Sequence, residues 1–297
     1  MKVILDTDIG DDIDDIWALG FILKCREIDL KLITVCFANI LDYKIKVLTT
    51  MLQRFKRENI AVAIGREKGN SNCLSHPSMC NAEVNSGYTQ NAVQAIKDII
   101  DSSAETIYVI SIGPATNIGD FAVKYPQYKD KYKVIAMAGA YKKGYINQTS
   151  ADAEFNVLMD IVSANNAYKD SDYTMIPLDV CRATIFDGSR YTRLLESSDN
   201  IVQQILTAYR EWQECYVGGA IKYDIETSSS ILYDIVPIVY LLQPQLFTVI
   251  KSKIIATSEG KTVESAEGSL INVAVDVNIN DMLDFVVNRL CFKELRC

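Results

Sequence analysis

Residues 2–23 read KVILDTDIGDDIDDIWALGFIL. Val3, Ile4 and Leu5 make a short apolar run that fits a buried strand, and from about Asp14 onward Ile16, Leu19 and Leu23 recur at helical spacing. Between the two lie Asp6, Asp8, Asp11, Asp12, Asp14 and Asp15, six carboxylates within ten residues. They fill a strand-to-helix turn at the carboxyl end of a strand, where open α/β sheets place their ligands. Two acids would serve as cap and dipole complement for the helix. Six repel one another unless a cation sits among them or some remain protonated, so the turn predicts a divalent metal site.

The turn offers oxygen and has no His or Cys, which favours Ca²⁺ or Mg²⁺ over Zn²⁺. An EF-hand counted from Asp6 would need Gly at its sixth place and Glu at its twelfth; the chain has Asp11 and Trp17 there. Acid-rich diphosphate sites of the DDxxD type belong to all-helical proteins, whereas here a strand precedes the acids. An aspartyl-phosphate phosphatase would need a Lys and a further acid pair after later strands, and those strand ends carry other residues.

The chain has 297 residues, 49% of them hydrophobic, and a formal net charge of −8, so it can build a large core and offers no basic surface to a nucleic-acid polymer. No window approaches the ~18 uninterrupted apolar residues of a membrane span. A charged strand at the start leaves no room for a secretory signal. The eight scattered cysteines, with Cys36 and Cys181 inside apolar runs, fit a reducing cytoplasm better than a disulfide framework. The expected partner is a small neutral or cationic molecule.

Strand and helix patterns alternate along the chain. Strands are expected at 30–39, 60–65, 106–113, 133–140 and 173–180, with helices through Tyr43–Phe55, Ala92–Ile100 and around Ala164. The polar stretch 66–87 reads as a long loop. Beyond Phe186 the chain turns mainly helical, 248–277 alternates like two antiparallel strands, and a helix closes at 281–290. This order predicts a single α/β domain over 1–297, a doubly wound, mostly parallel sheet with a late antiparallel hairpin. The strand ends share one rim. On it fall the aspartates, Asn39, Thr116, Asn117, Glu154 and Asn156, with Asp234 opening a late helix. Carboxylates and amides around a metal suit a polyhydroxylated ligand such as a sugar, because together they accept from and donate to hydroxyls.

The chain resembles the inosine-uridine-preferring nucleoside hydrolases over nearly its whole length. DTDIG with its acid pairs resembles the N-terminal aspartate motif, and FAN at 37–39 the family's GN. IGPATN at 112–117 resembles GPLTN, and MAGA with AEFN resembles GGA…AEFN. IPLDV at 176–180 and YDIVPIVYLLQPQLF at 233–247 resemble the later PLDV and HDP segments, and VAVDVNINDMLDFVVNRL the C-terminal strand and helix. The resemblance implies cleavage of a ribonucleoside to ribose and base. It implies Ca²⁺ bound by Asp8, Asp15, Asp234 and the carbonyl of Thr116, together with a water and the ribose 2′- and 3′-hydroxyls. Asp8 would be the general base, Asp14 and Asn39 would bind ribose hydroxyls, and Gln148, Glu154 and Asn156 would serve the rest of the sugar. Asp14–Asp15 is aligned with the family's acid pair because IWAL continues the helix from there. Three residues, Asp11 to Ile13, then separate Gly10 from the pair instead of one, and Asp12 becomes an extra candidate for the metal shell. Dimers or tetramers are the assemblies the resemblance suggests.

Two places where relatives carry histidine differ. Tyr233 precedes Asp234, and Cys181–Arg182 follows PLDV; the single histidine of the chain is His76. Histidine is the usual general acid near neutral pH, so leaving-group protonation falls to Tyr233, Tyr223 or water. Trp212, Tyr216 and Tyr223 are candidates either for stacking on a base or for the core. His76, in CLSHPSMC with Cys73 and Cys80, is expected as a solvated loop residue. Short of four ligands, these three make a poor structural zinc site. The competing class is a Ca²⁺-dependent nucleoside- or ribose-binding protein with weak or no turnover.

Overall fold

The computed structural model describes residues 1–36, 41–68, 75–79, 88–146, 148, 150–170, 172–215 and 223–292. Its elements run β1 (Lys2–Thr7), α1 (Asp14–Leu23), β2 (Asp29–Val35), α2 (Leu41–Phe55), β3 (Ala61–Ile64), β4 (Tyr88–Thr89), α3 (Ala92–Asp101), β5 (Ile107–Ser111) and α4 (Thr116–Lys124). There follow β6 (Tyr132–Met137), α5 (Phe155–Met159), α6 (Ile161–Asp170), β7 (Asp172–Ile176), α7 (Leu178–Cys181), α8 (Gly188–Leu195) and α9 (Asn200–Cys215). The last part holds α10 (Ile235–Leu242), β8 (Phe247–Ala256), β9 (Thr262–Glu264), β10 (Ser269–Val277) and α11 (Ile279–Cys291).

The strands form one sheet in the order β4-β3-β2-β1-β5-β6-β7-β10-β8-β9. From β4 to β10 each neighbouring pair is parallel, while β8 runs antiparallel to β10 and β9 antiparallel to β8. The expected doubly wound sheet is therefore present, and its late antiparallel part has three strands rather than two. The chain winds outward from β1 through β4 and then returns to lay β5 on the other side of β1, with Leu5 beside Ile110 and Asp6 beside Ser111. That reversal makes β1/β5 the topological switch point, and the loops leaving the two strands part there to open a crevice. The aspartate turn leaves β1 and the GPATN turn leaves β5, so the switch point falls on the residues that the sequence singles out.

Each face of the sheet is covered. Val3 and Leu5 of β1 join a core with α1, α2, α9, α10 and α11, whereas Ile4 faces a second core with α3, α4 and α6. The helix α1 departs from the one-sided pattern: Asp14 to Ile22 are all buried. Its run IWALGFIL has no polar residue, as a helix buried all round requires. Trp17 lies against Phe186 and Tyr209, and Gly20 lets Ile205 of α9 approach the helix backbone. Among the described residues no helix is long and apolar enough to cross a membrane.

Candidate active site

The strand pleat assigns the first acids to different tasks. Asp6 points to the same face as Ile4 and meets α4, where its Oδ1 accepts from Asn117 Nδ2 at 2.8 Å and from Thr34 Oγ1 at 2.6 Å. It is fully buried, and burial pushes its carboxyl up to about 7. Asp6 thus ties the end of β1 to α4 and β2, with Asn117 and Thr34 as its partners. Thr7 points the other way and its hydroxyl donates to Asp15 Oδ1. Asp12 Oδ1 accepts from the Ile13 backbone at 2.6 Å, which shapes the entry to α1.

Asp14, Asp15 and Asp234 converge: one oxygen of each lies within 4.8 Å of the others, and all three residues are buried. Asp14 and Asp15 open α1, and Asp234 stands at the start of α10. Burial, and then the neighbouring carboxylates, hold all three well above the ordinary carboxylate range. Asp8 is not one of the three whose oxygens converge, but its charge raises each of them. Its own carboxyl is pushed up to about 8 by burial, against the opposing charge of Lys44. Buried like charges with an all-oxygen donor set are the environment a hard divalent cation relieves. The residues therefore fit a metal ion on their own geometry.

Gly113, in the turn after β5, closes the site from below. A methyl group there would come within 2.8 Å of both the Asp8 nitrogen and Asp8 Oδ1, and 2.7 Å from Cys36 Sγ. Gly113→Ala is expected to destabilise the fold by about 1–3 kcal/mol through overpacking and to weaken metal binding by displacing Asp8. Chemical denaturation with and without Ca²⁺ measures both, and wild-type values would refute the close-approach argument.

The remaining candidates have other demands on them. Thr116 begins α4, and its hydroxyl donates to Asp160 Oδ2 at 2.8 Å. Glu154 caps α5: its carboxylate accepts from the backbone of Asn156 at 2.8 Å, Val157 at 3.2 Å and Gly139 at 2.8 Å. Asn156 Nδ2 donates to the Met137 carbonyl at 3.0 Å. Gln148 Oε1 accepts from the Tyr145 backbone at 3.0 Å and closes the 145–148 turn. Glu154 is thus a builder of the loop after β6 before it is anything else. Asn39 lies outside the described residues, as do Cys73, Cys80 and Tyr216.

The wall beside the acids is aromatic. Tyr145 and Tyr233 meet edge to face with centroids 6.1 Å apart, and Tyr145 Oη accepts from the Phe155 backbone at 3.0 Å. Burial first, then nearby carboxylates including Asp14, raise both phenols, which stay protonated at neutral pH. Asp14 and Glu154 both raise Cys181 and Tyr145, so both residues feel the acids of the cluster and of the loop after β6. The buried Cys181 thiol is raised and is no nucleophile. Trp212 is core, stacked on Tyr209 at 5.8 Å. His76 corrects an expectation: it is buried and not solvated, its backbone N–H donates to Tyr43 Oη at 2.5 Å, and burial lowers its imidazole to about 3. It stays neutral beneath the aspartate turn.

Sequence reasoning missed four contributors: Tyr145, Asp179, Ser75 and Lys44. The carboxylate of Asp179 accepts backbone N–H groups from Tyr141 at 2.8 Å, Lys142 at 2.8 Å and Lys143 at 3.1 Å, anchoring the start of the loop that Glu154 anchors at its end. Its place in IPLDV was the available signal. The hydroxyl of Ser75 lies 2.7 Å from the carbonyls of both Gly10 and Asp11.

The fold with its buried oxygen cluster at the switch point defines a class, and comparison with known proteins agrees with it. The family model described as inosine-uridine preferring nucleoside hydrolase matches residues 3–284. The chain belongs to that family of N-glycosyl hydrolases. It is 24% identical over 276 residues to the non-specific ribonucleoside hydrolase RihC of Salmonella paratyphi B, covering 88% of this chain and 85% of that protein. To RihC of Klebsiella pneumoniae it is 26% identical over 267 residues, covering 84% and 81%. The plant nucleoside hydrolase PpNRh1 shares its fold with a TM-score of 0.82 at 19% identity, covering 98% of this chain and 99% of that one. A purine-preferring ribonucleoside hydrolase from Gardnerella vaginalis superposes with a TM-score of 0.77, also at 19% identity and with 98% of each chain covered.

Proposed function

We propose that this protein hydrolyses the N-glycosidic bond of ribonucleosides and that its metal is Ca²⁺, held by Asp8, Asp15, Asp234 and the Thr116 carbonyl. Asp14 binds the ribose hydroxyls, and Asp12 is the further candidate for the shell. The observation that carries the reading is the buried, mutually repelling oxygen cluster at the switch point of a nucleoside hydrolase fold. When bound, the ion would orient water and ribose hydroxyls and increase the acidity of that water. Asp8 takes the proton from the attacking water, a role open to an ionised carboxylate held beside the water that the ion would bind. Breaking the C1′–N bond develops positive charge on the sugar, which the surrounding carboxylates stabilise. Asn156 holds the sugar together with Asn39, which lies outside the described residues.

Leaving-group help comes from Tyr233. A phenol that stays protonated beside Asp14 can donate a hydrogen bond to the departing base without giving up its proton. Turnover of inosine, uridine, cytidine, adenosine and p-nitrophenyl riboside with Ca²⁺ supplied tests the whole reading. Absence of turnover on every one would favour the binding-protein alternative. In the same panel Tyr233→Phe is expected to lower kcat on natural nucleosides roughly tenfold or more, the worth of a hydrogen bond to a charged leaving group, and to spare the activated riboside. An unchanged kcat on inosine and uridine would remove Tyr233 from the mechanism.

A further inference from the structure

Lys44 is completely shut off from solvent. It lies on α2 in the stripe of buried Val47, Leu48 and Met51, at the spacing of one helix face. Its ammonium reaches past that apolar stripe into the aspartate turn, where it donates to the Asp8 carbonyl at 2.5 Å and pairs with Asp11 Oδ2 at 2.8 Å. The same turn is gripped from both sides. Gly10, at φ +104°, has no side chain to keep Tyr43 of α2 away, and Ser75 reaches the Gly10 and Asp11 carbonyls. Taking an ammonium out of water is unfavourable, and a neutral side chain of similar shape is often more stable in such a place. A fixed positive charge near a cation site also opposes the cation. The lysine therefore has to contribute something that outweighs both costs.

We propose that Lys44 is a positioning residue for the metal site. It ties the Asp8 backbone to α2 and neutralises Asp11, one of the residues by which this turn is longer than the family's shorter form, so that the Asp8 carboxylate is presented in a fixed place. The inference rests on the metal reading above and names a residue outside the ligand set. It predicts that removing a positive charge weakens cation binding, the reverse of what simple electrostatics would give.

Luminescence titration with Tb³⁺, displaced by Ca²⁺, reads this without turnover. Lys44→Met is expected to lose tenfold or more in Tb³⁺ affinity, the range seen when a residue orienting a metal ligand is removed. Lys44→Gln combined with Asp11→Asn restores a neutral donor and removes the stranded charge, and is expected to recover affinity to within a few-fold of wild type. Equal or tighter binding by Lys44→Met overturns the proposal, and so does failure of the double variant to recover while it still melts cooperatively. If Lys44→Met does not fold, Asp11→Asn alone decides, because it leaves the ammonium without its counter-charge; unchanged affinity there overturns the proposal. A wild-type protein that binds neither Tb³⁺ nor Ca²⁺ removes the metal reading, and this one with it. Wild-type binding with an indifferent Lys44→Met removes only the role of Lys44.

Discussion

Asp8→Asn is expected to lower kcat by two to four orders of magnitude at saturating Ca²⁺, the range for loss of a general base, while making the metal-free protein more stable. Asparagine keeps the size of the side chain against Gly113, so the turn has no steric reason to move. It cannot accept a proton from water, and it binds a cation less well than a carboxylate does. Yet Asp8 is also one of the charges that raise Asp14, Asp15 and Asp234, so neutralising it relieves repulsion within a buried cluster. Activity and stability should move in opposite directions, the pattern expected where a site is kept strained for function. Steady-state kinetics on p-nitrophenyl riboside, whose leaving group needs no acid, isolates the base. A loss below tenfold with saturating metal, or a metal-free variant less stable than wild type, would contradict the role given to Asp8.

How much of this was legible depended on whether a residue's task shows in periodicity. The β1–α1 unit, the parallel order and the rim at the strand ends follow from short apolar runs separated by helical patterns, and those survive in the structure. The strand Tyr88–Thr89 was not legible, because two residues carry no period. Glu154 reads as a sugar ligand by position, although a carboxylate directly before FNVLM is also a helix cap, and its bonds from the Asn156 and Val157 backbone make it one. His76 sits in a polar stretch and reads as solvated; its burial comes from contact with the aspartate turn and Tyr43, a tertiary effect with no local trace. Lys44 is a different case. Its place on the stripe of Val47, Leu48 and Met51 marks it as a lysine on a core face, a signal that is present in the sequence.

Without metal, the protein is expected to be most stable in mild acid and to lose stability as pH rises from about 4 to 8, whereas with Ca²⁺ that loss is suppressed. The carboxyls of Asp12, Asp6 and Asp8 sit at about 6, 7 and 8 in the folded chain, and Asp14, Asp15 and Asp234 lie well above their ordinary values. Unfolded, each returns to about 3.9. Between those limits the folded chain binds more protons than the unfolded one, so the slope of unfolding free energy with pH is negative. The contribution is complete below the unfolded value and disappears as pH climbs through the folded values. A cation reverses the preference, because it binds the ionised oxygens and releases their protons. Calcium at about a thousand times its Kd contributes about 4 kcal/mol, or on the order of 10 °C in Tm for a chain of this size. The shift should be larger at pH 8 than at pH 5.5, where protons compete for the same oxygens. Thermal melts in chelator and in Ca²⁺ at the two pH values read all four corners of this cycle. A chelated protein that gains stability toward pH 8, or a Ca²⁺ shift larger in acid, would mean that the aspartates are not the seat of the metal. Agreement would tie the folding of the turn and its chemistry to the same ion, since the repulsion that destabilises the empty cluster is what gives the cation its place.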